Sequence, residues 1–251
     1  MNWLGLMIGN SRLHWAYFGG ETLHKAWDTH YLTAASVKEV VQGLTAGDLP
    51  PEMLPPSQLP LYLASVVPSQ TVLWQNYPNV RIISLDQLPL EGIYPTLGID
   101  RALAVLGAAE VWGLPALVID AGTALTFTGA DANRCLVGGA ILPGLSQQLL
   151  SLAYRTAALP SVKIPQEMPP RWALNTPQAI QSGVIYTIVA GIKDFIQAWW
   201  QEFPGSRVIL TGGDRAVLLI YLQAQFPEIA TQIVSDPNLI FMGMRSVVLR
   251  S

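Results

Sequence analysis

One motif occurs twice in this chain, and a fold must accommodate both copies. Leu117-Val118-Ile119-Asp120-Ala121 is an apolar run that breaks at Gly122-Thr123 and resumes as the alternating run Ala124-Leu125-Thr126-Phe127. Near the N-terminus, Leu6-Met7-Ile8 breaks at Gly9-Asn10-Ser11 and resumes as Arg12-Leu13-His14-Trp15-Ala16-Tyr17-Phe18. Each copy reads as a strand, a tight turn and a second strand. Aligning Gly9 with Gly122 sets Ser11 near Thr123 and Met7 opposite Asp120. A glycine lets the backbone approach a ligand closely, and the hydroxyl beside it adds a donor, so both turns suit phosphate. The repeat implies an internal duplication, with two turns facing one another across a cleft and gripping a triphosphate from both sides.

A chain of 251 residues has room for two such halves. The expected division is residues 1–113 and 114–251, with the final helix free to pack back on the N-terminal lobe. Apolar residues make up 51% of the chain and charged ones 12%, which implies burial beyond two isolated lobes and hence a homo-oligomer, most simply a homodimer. A net charge of -3 without any basic run gives no electrostatic reason to expect nucleic acid. The single Cys135 excludes an intrachain disulfide and a multi-cysteine zinc site, and its apolar surroundings predict a core position. The N-terminus lacks the charged region of a signal peptide, and no uninterrupted apolar run approaches the ~20 residues of a membrane span. A cytoplasmic protein without membrane contact is expected.

Along the chain, residues 3–28 read as three strands with Gly19-Gly20 turning between the second and third. Ala34–Leu44 reads as a helix, and the prolines of Leu49–Pro56 as a surface loop, because proline has no amide donor. Leu61–Val67 and Val80–Leu85 read as strands, with a helix opened by Pro68 between them. Asp100 and Arg101 begin a helical run through Val111, where the macrodipole is expected to keep Asp100 ionised, unless Asp100 only caps the helix.

In the second half, a third strand covers Cys135–Leu142, followed by a helix to about Tyr154. Thr176 is expected to cap a long helix with Pro177 at its first position, while Ile180, Val184, Ile188, Ile192 and Ile196 form one apolar face and Trp199 and Trp200 cover a partner. Val208–Thr211 leads into Gly212-Gly213-Asp214, a strand ending in a glycine turn before a helix. Thr231–Ser235 and a closing helix through Val248 complete an α/β chain of mixed sheets flanked by helices.

Six motifs in this order, Ile8-Gly9-Asn10-Ser11, Leu97-Gly98-x-Asp100-Arg101, Asp120-x-Gly122-Thr123, Gly138-Gly139-x-Ile141-x-Pro143-Gly144, Asn175-Thr176 with Ser182-Gly183, and Leu210-Thr211-Gly212-Gly213-Asp214, give the sequence its family resemblance. It resembles the type III pantothenate kinases, relatives of sugar kinases, actin and the heat-shock ATPases, over essentially its whole length. That resemblance implies two duplicated ribonuclease-H-like lobes of the actin-like ATPase fold. It also implies phosphorylation of pantothenate by ATP with Mg2+, the first step of coenzyme A biosynthesis.

Carried over by position, the resemblance makes Asp100 the general base. Gly98, Ile99, Asp100 and Arg101 become the pantothenate-binding segment, joined by Thr176 and Tyr94. Met7, Ile8, Gly9, Asn10, Ser11, Arg12, Leu13 and His14 become the first ATP loop, with Gly122 and Thr123 as the second. Asp120 becomes the ligand of a monovalent cation, K+ or ammonium. Met7 departs from the family, which normally has Asp there, and a thioether is a poor ligand for a hard cation. This departure motivates a competing reading, a non-catalytic relative that binds nucleotide or pantothenate as a regulator. A sugar or polyol kinase of the same fold is the other alternative.

Overall fold

The computed structural model describes residues 1–42 and 59–250, so the proline-rich Leu49–Pro56 segment and the end of the helix expected to reach Leu44 lie outside the described residues. Contacts divide the chain into two units, Met1–Glu110 with Asn238–Ser251, and Val111–Pro237. The second unit is therefore a continuous insertion in the first.

The first unit opens with β1 (Asn2–Ile8), β2 (Leu13–Gly19) and β3 (Thr22–Thr29), antiparallel neighbours joined by short turns. After α1 (Ala34–Val41) come β4 (Leu61–Ser65), α2 (Pro68–Trp74) and β5 (Val80–Ile82), and both later strands run parallel to β1. The resulting sheet has the order β3-β2-β1-β4-β5. Side chains alternate across it, so Leu4, Leu6, Ile8, Leu13 and Trp15 join Trp74 in one core on one face. Each such side chain contributes about 1.5–3 kcal/mol when fully removed from water. The expected strand to Leu85 ends at Ile82, and a 3-10 turn at Leu85–Gln87 follows.

The sheet's other face carries Gly5, where a methyl group would meet Met244 at 3.6 Å. Met244 lies on α8 (Leu239–Arg250), the closing helix, which belongs to the first unit and crosses α3 (Ile99–Val111). This crossing depends on two glycines. A methyl group at Gly107 would stand 1.9 Å from the Leu239 carbonyl oxygen, and one at Gly243 would stand 2.1 Å from that of Leu103. Neither helix has a side chain at the crossing point, so the backbones touch.

The second unit repeats the plan. β6 (Ala116–Ala121), β7 (Ala124–Ala130) and β8 (Leu136–Pro143) form the antiparallel part. α4 (Leu145–Arg155) and α5 (Thr176–Glu202) lead to β9 (Arg207–Thr211), parallel to β6, and then to α6 (Arg215–Gln225), α7 (Pro227–Ala230) and β10 (Ile233–Ser235). The order β10-β9-β6-β7-β8 is the first sheet's order with each strand replaced by its counterpart five later, read from the opposite edge. This is the duplication expected from the repeated motif, and it gives the α/β architecture of two mixed five-stranded sheets flanked by helices.

Three local expectations need correction. α5 is capped by Asn175, whose side-chain oxygen accepts from the Gln178 amide at 3.0 Å, so Thr176 is the first helical residue; an Asn is at least as good a cap as a Thr. Trp199 does not face outward. It is buried against Phe203 and Gly129, whose missing side chain leaves room for the indole. Cys135 is only half-buried, because it closes the β7–β8 turn, where its amide donates to Asp131 Oδ1 at 2.9 Å.

The membrane expectation also changes in detail. Averaged over 18 residues, α5 reaches a mean hydropathy of 1.3 within its 27 residues, long and apolar enough for a span on those two measures. The buried positions Ile180, Ile185, Ile188, Ile192, Ile196 and Trp199 instead make it a core helix of the second unit, with the periodicity of a one-sided face.

The helix crossing can be tested directly. Gly107→Ala should lower stability by about 1–3 kcal/mol, as overpacking at a closed contact does. Gly191→Ala, on α5 where a methyl group meets nothing within 4 Å, should be neutral or stabilising. Thermal melts of the two variants give the comparison.

Candidate functional site

In the first unit, β1 and β2 meet in the Gly9–Arg12 turn, closed by the Gly9 amide donating to the Arg12 carbonyl at 3.1 Å. The Tyr31 hydroxyl donates to the Gly9 carbonyl and holds the turn from the side. Of the eight residues assigned to the first ATP loop, Met7, Ile8 and Leu13 are buried in the sheet and can offer only backbone. Asn10, Ser11 and Arg12 are exposed, and His14 is half-exposed. His14 Nδ1 lies 2.7 Å from Asp28 Oδ1. Nothing in the sequence reading singled out Asp28. Counting back from the Gly19–Thr22 hairpin puts Trp27 opposite His14, but a bulge at Tyr17/Phe18 advances the register by one and brings Asp28 there.

The start of α3 gathers the second group. The Leu97 amide donates to the Tyr94 carbonyl at 3.0 Å, and the Ala102 amide to the Gly98 carbonyl at 3.2 Å, which turns the chain into the helix. Asp100 Oδ1 accepts from the Arg101 amide at 2.8 Å, and a methyl group at Gly98 would stand 2.3 Å from that same oxygen. Gly98 thus leaves the space that the carboxylate occupies. Arg101 is buried and its guanidinium donates to the Tyr94 hydroxyl at 2.9 Å. Tyr94, Gly98, Asp100 and Arg101 therefore form one cluster, while Ile99 is buried and lends backbone alone.

The proton affinity of Asp100 moves in the direction opposite to the one a helix start alone would give. Burial pushes its carboxyl up from the usual carboxylate range, and the Arg101 amide and the Arg101 charge oppose this only in part. A helix start favours a negative charge, but desolvation outweighs that here. The Asp100 carboxylate accepts from the Arg101 amide and from its own, within the first turn of α3, and does not cap the helix from outside it.

In the second unit, three turns meet backbone to backbone. The Gly122 amide donates to the Ala124 carbonyl at 3.0 Å, the Gly144 amide to that of Thr123 at 2.9 Å, and the Asp214 amide to that of Ala121 at 2.9 Å. A methyl group at Gly144 would stand 2.1 Å from the Gly122 carbonyl oxygen. At Gly212, with φ of +89°, it would stand 2.5 Å from both the Ala121 carbonyl oxygen and Asp120 Oδ1. The Asp120 carboxylate thus lies against the Gly212 backbone, close to the Gly122–Thr123 turn. Asp214, at the start of α6, is raised by burial, and Tyr221 is pushed up to about 12 by burial and then by the Asp214 charge. Thr176 sits exposed at the first position of α5.

Among the described residues no three His, Cys, Asp or Glu side chains gather as a metal cage. The chemistry on offer is a half-buried carboxyl of raised proton affinity beside a guanidinium in one unit, and turns of closely packed backbone beside the Asp120 carboxylate in the other. Such turns hold phosphate through amides and small polar groups.

The sequence pattern of the family described as type III pantothenate kinase matches residues 3–198. Type III pantothenate kinases from Nostoc sp. and Synechocystis sp. are 55% and 46% identical to the chain, each over 98% of it and over 94% and 90% of their own lengths. Among solved structures, a Campylobacter jejuni protein described as a Baf family transcriptional activator superposes over 98% of both chains, with a TM-score of 0.64 and 21% identity. The activator of 2-hydroxyisocaproyl-CoA dehydratase from Clostridium difficile, solved with ADPNP, gives a TM-score of 0.52 at 11% identity over 100% of this chain and 94% of its own. These two show a shared fold and nothing finer. With the family pattern covering most of the chain and near relatives matching it almost end to end, the chain belongs to the type III pantothenate kinase family.

Proposed function

We infer that the protein transfers the γ-phosphoryl group of ATP to the primary hydroxyl of pantothenate, giving 4'-phosphopantothenate, the first committed chemistry toward coenzyme A. The observation that carries this reading is Asp100, a half-buried carboxyl pushed up from the usual carboxylate range by desolvation and next to Arg101, whose guanidinium meets Tyr94. A general base accepts a proton best when its pKa approaches the working pH. As the hydroxyl oxygen bonds to phosphorus and the bridge to ADP breaks, the hydroxyl proton passes to Asp100. Arg101 and Tyr94, with the Gly98–Ile99 backbone, hold the acceptor, and Thr176 offers a further hydroxyl. Phosphoryl transfer asks the protein mainly for position and charge neutralisation, which the first and second glycine turns supply through Gly9–Arg12, His14, Gly122 and Thr123.

The cofactor reading fits the residues present. Membership of a kinase family brings ATP with Mg2+. Among the described residues no carboxylate cage is found and Met7 is buried and apolar, so magnesium would enter with the nucleotide, whose phosphates offer the hard oxygen ligands it takes. Asp120, beside the carbonyl oxygens of a tight turn, has the oxygen chemistry for a monovalent cation such as K+ or ammonium. The second unit leaves Tyr154, Trp172 and Leu174 81%, 88% and 101% exposed, apolar surface that supports a homodimer through this unit. A single cysteine, half-buried and without a disulfide, suits a cytoplasmic enzyme.

A coupled ADP-release assay with pantothenate and MgATP, with and without K+, tests the reading. Product should form, and faster with K+. Nucleotide binding without phosphorylated product by mass spectrometry would instead favour the non-catalytic relative that the buried Met7 motivates, and turnover of a sugar in place of pantothenate would move the substrate.

Asp100→Asn gives a second test with two readouts. Turnover should fall about 10²- to 10⁴-fold, with a smaller change in the KM for pantothenate. The pH profile of the native enzyme should lose activity on the acid side at a midpoint above the ordinary Asp value of 3.8. Because the folded carboxyl is raised, it binds its proton more tightly folded than unfolded, so its contribution to stability is lost as pH rises through the folded pKa. Asp100→Asn should therefore raise the melting temperature at neutral pH, and by less in acid.

A further inference from the structure

The register of the first sheet lines up four residues across its strands: Asp28 on β3, His14 on β2, Met7 on β1 and Ala64 on β4. Directly paired residues of neighbouring strands project to the same face. Met7 and Ala64 are apolar and buried, whereas the side chains of His14 and Asp28 are 39% and 45% exposed. The polar end of the row is thus the His14–Asp28 pair, joined at 2.7 Å. An ionised carboxylate can only accept, so the hydrogen in that contact sits on His14 Nδ1. The other ring nitrogen faces the Gly9–Arg12 turn: Nε2 is the atom nearest to where a side chain on Gly9 would begin, at 3.3 Å.

We propose that His14 and Asp28 act together as a phosphate-binding pair, in which Asp28 orients the ring and His14 Nε2 takes up a proton as ATP binds and donates to a phosphate oxygen. This rests on the ATP-dependent reading above and extends it. With Nδ1 committed to Asp28, a neutral ring presents a lone pair at Nε2, which a phosphate oxygen repels. The doubly protonated ring presents an N–H and a positive charge instead, a charge-assisted contact. The proton comes from solvent, and no bond of the nucleotide changes in this step.

The carboxylate of Asp28 on β3 meets the ring at 2.7 Å, Met7 on β1 brings no charge, and Arg12 belongs to the adjoining turn. The Tyr31 hydroxyl is engaged with the Gly9 carbonyl and fixes the turn instead. His14 is then a nucleotide-binding residue and Asp28 a positioning residue that acts through it. ATP affinity in this enzyme becomes coupled to pH on the phosphate side, separately from Asp100.

Two measurements test the pair: kinetics between about pH 6 and pH 8, and calorimetry with a non-hydrolysable ATP analogue in two buffers of different ionisation enthalpy. The wild type should take up as much as one proton on binding the analogue, and its KM for ATP should rise with pH. His14→Gln should raise the KM for ATP about tenfold or more, abolish the proton uptake and leave the KM for pantothenate unchanged. Asp28→Asn should fall between the two. His14→Lys, which restores a fixed charge, should recover ATP affinity, lose its pH dependence and become indifferent to Asp28→Asn.

Unchanged ATP affinity and proton uptake in His14→Gln would overturn the pair while leaving the kinase reading intact. A wild type that fails to phosphorylate pantothenate would overturn the kinase reading, and proton uptake on nucleotide binding would still decide the pair. A wild type that does not bind the analogue at all would overturn both.

Discussion

Contact between bare stretches of backbone is the constraint on which both units depend. At Gly144 and Gly212 the second unit's turns come so close that one added carbon would overlap a neighbouring carbonyl oxygen, and at Gly107 and Gly243 the first unit's helices do the same. Packed interiors tolerate little change of volume at such points. The two places serve different ends. In the second unit closeness concentrates amides and carbonyls around Asp120, whereas in the first it presses α8 and α3 together behind the sheet that carries the Gly9–Arg12 turn.

Asp100 is held where its charge is costly. A carboxylate at the start of a helix is normally stabilised by the helix dipole. Here Gly98 leaves space for it and partial burial strips enough water that desolvation outweighs both the Arg101 amide and the Arg101 charge. Had the carboxylate been fully solvated, it would have been a comfortable cap and a poor base. The Arg101 guanidinium donates to the Tyr94 hydroxyl, while Asp100 Oδ1 accepts from the Arg101 amide.

Much of this was legible in the sequence because it is written in local patterns. The strand-turn-strand repeat at Gly9 and Gly122 foretold a duplication into two mixed-sheet halves, and the Leu97–Arg101 segment foretold a helix start bearing Asp100. What escaped depended on register and packing. A bulge of one residue in β2–β3 decides that Asp28, not Trp27, meets His14, and nothing in the composition of either strand announces it. Trp199 reads as a surface aromatic on an apolar helix until Gly129 is seen to leave it a slot. The upward shift of Asp100 was not legible because position along a helix can be read from sequence while the extent of desolvation cannot. The assignment of Thr176 as the cap failed because Asn175, one position earlier, is an equally capable acceptor.

Because Asn238–Ser251 belongs with Met1–Glu110, the chain leaves the first unit and returns to it only after the whole of the second has been made. During synthesis the ribosome therefore releases a half-built first unit, with the face around Gly5 and α3 lacking the helix that covers it, while the inserted unit already has all its strands. Domains generally fold as units as they emerge. The nested unit can thus mature before its host, and the host's exposed sheet face is the stretch most open to mispairing until α8 arrives.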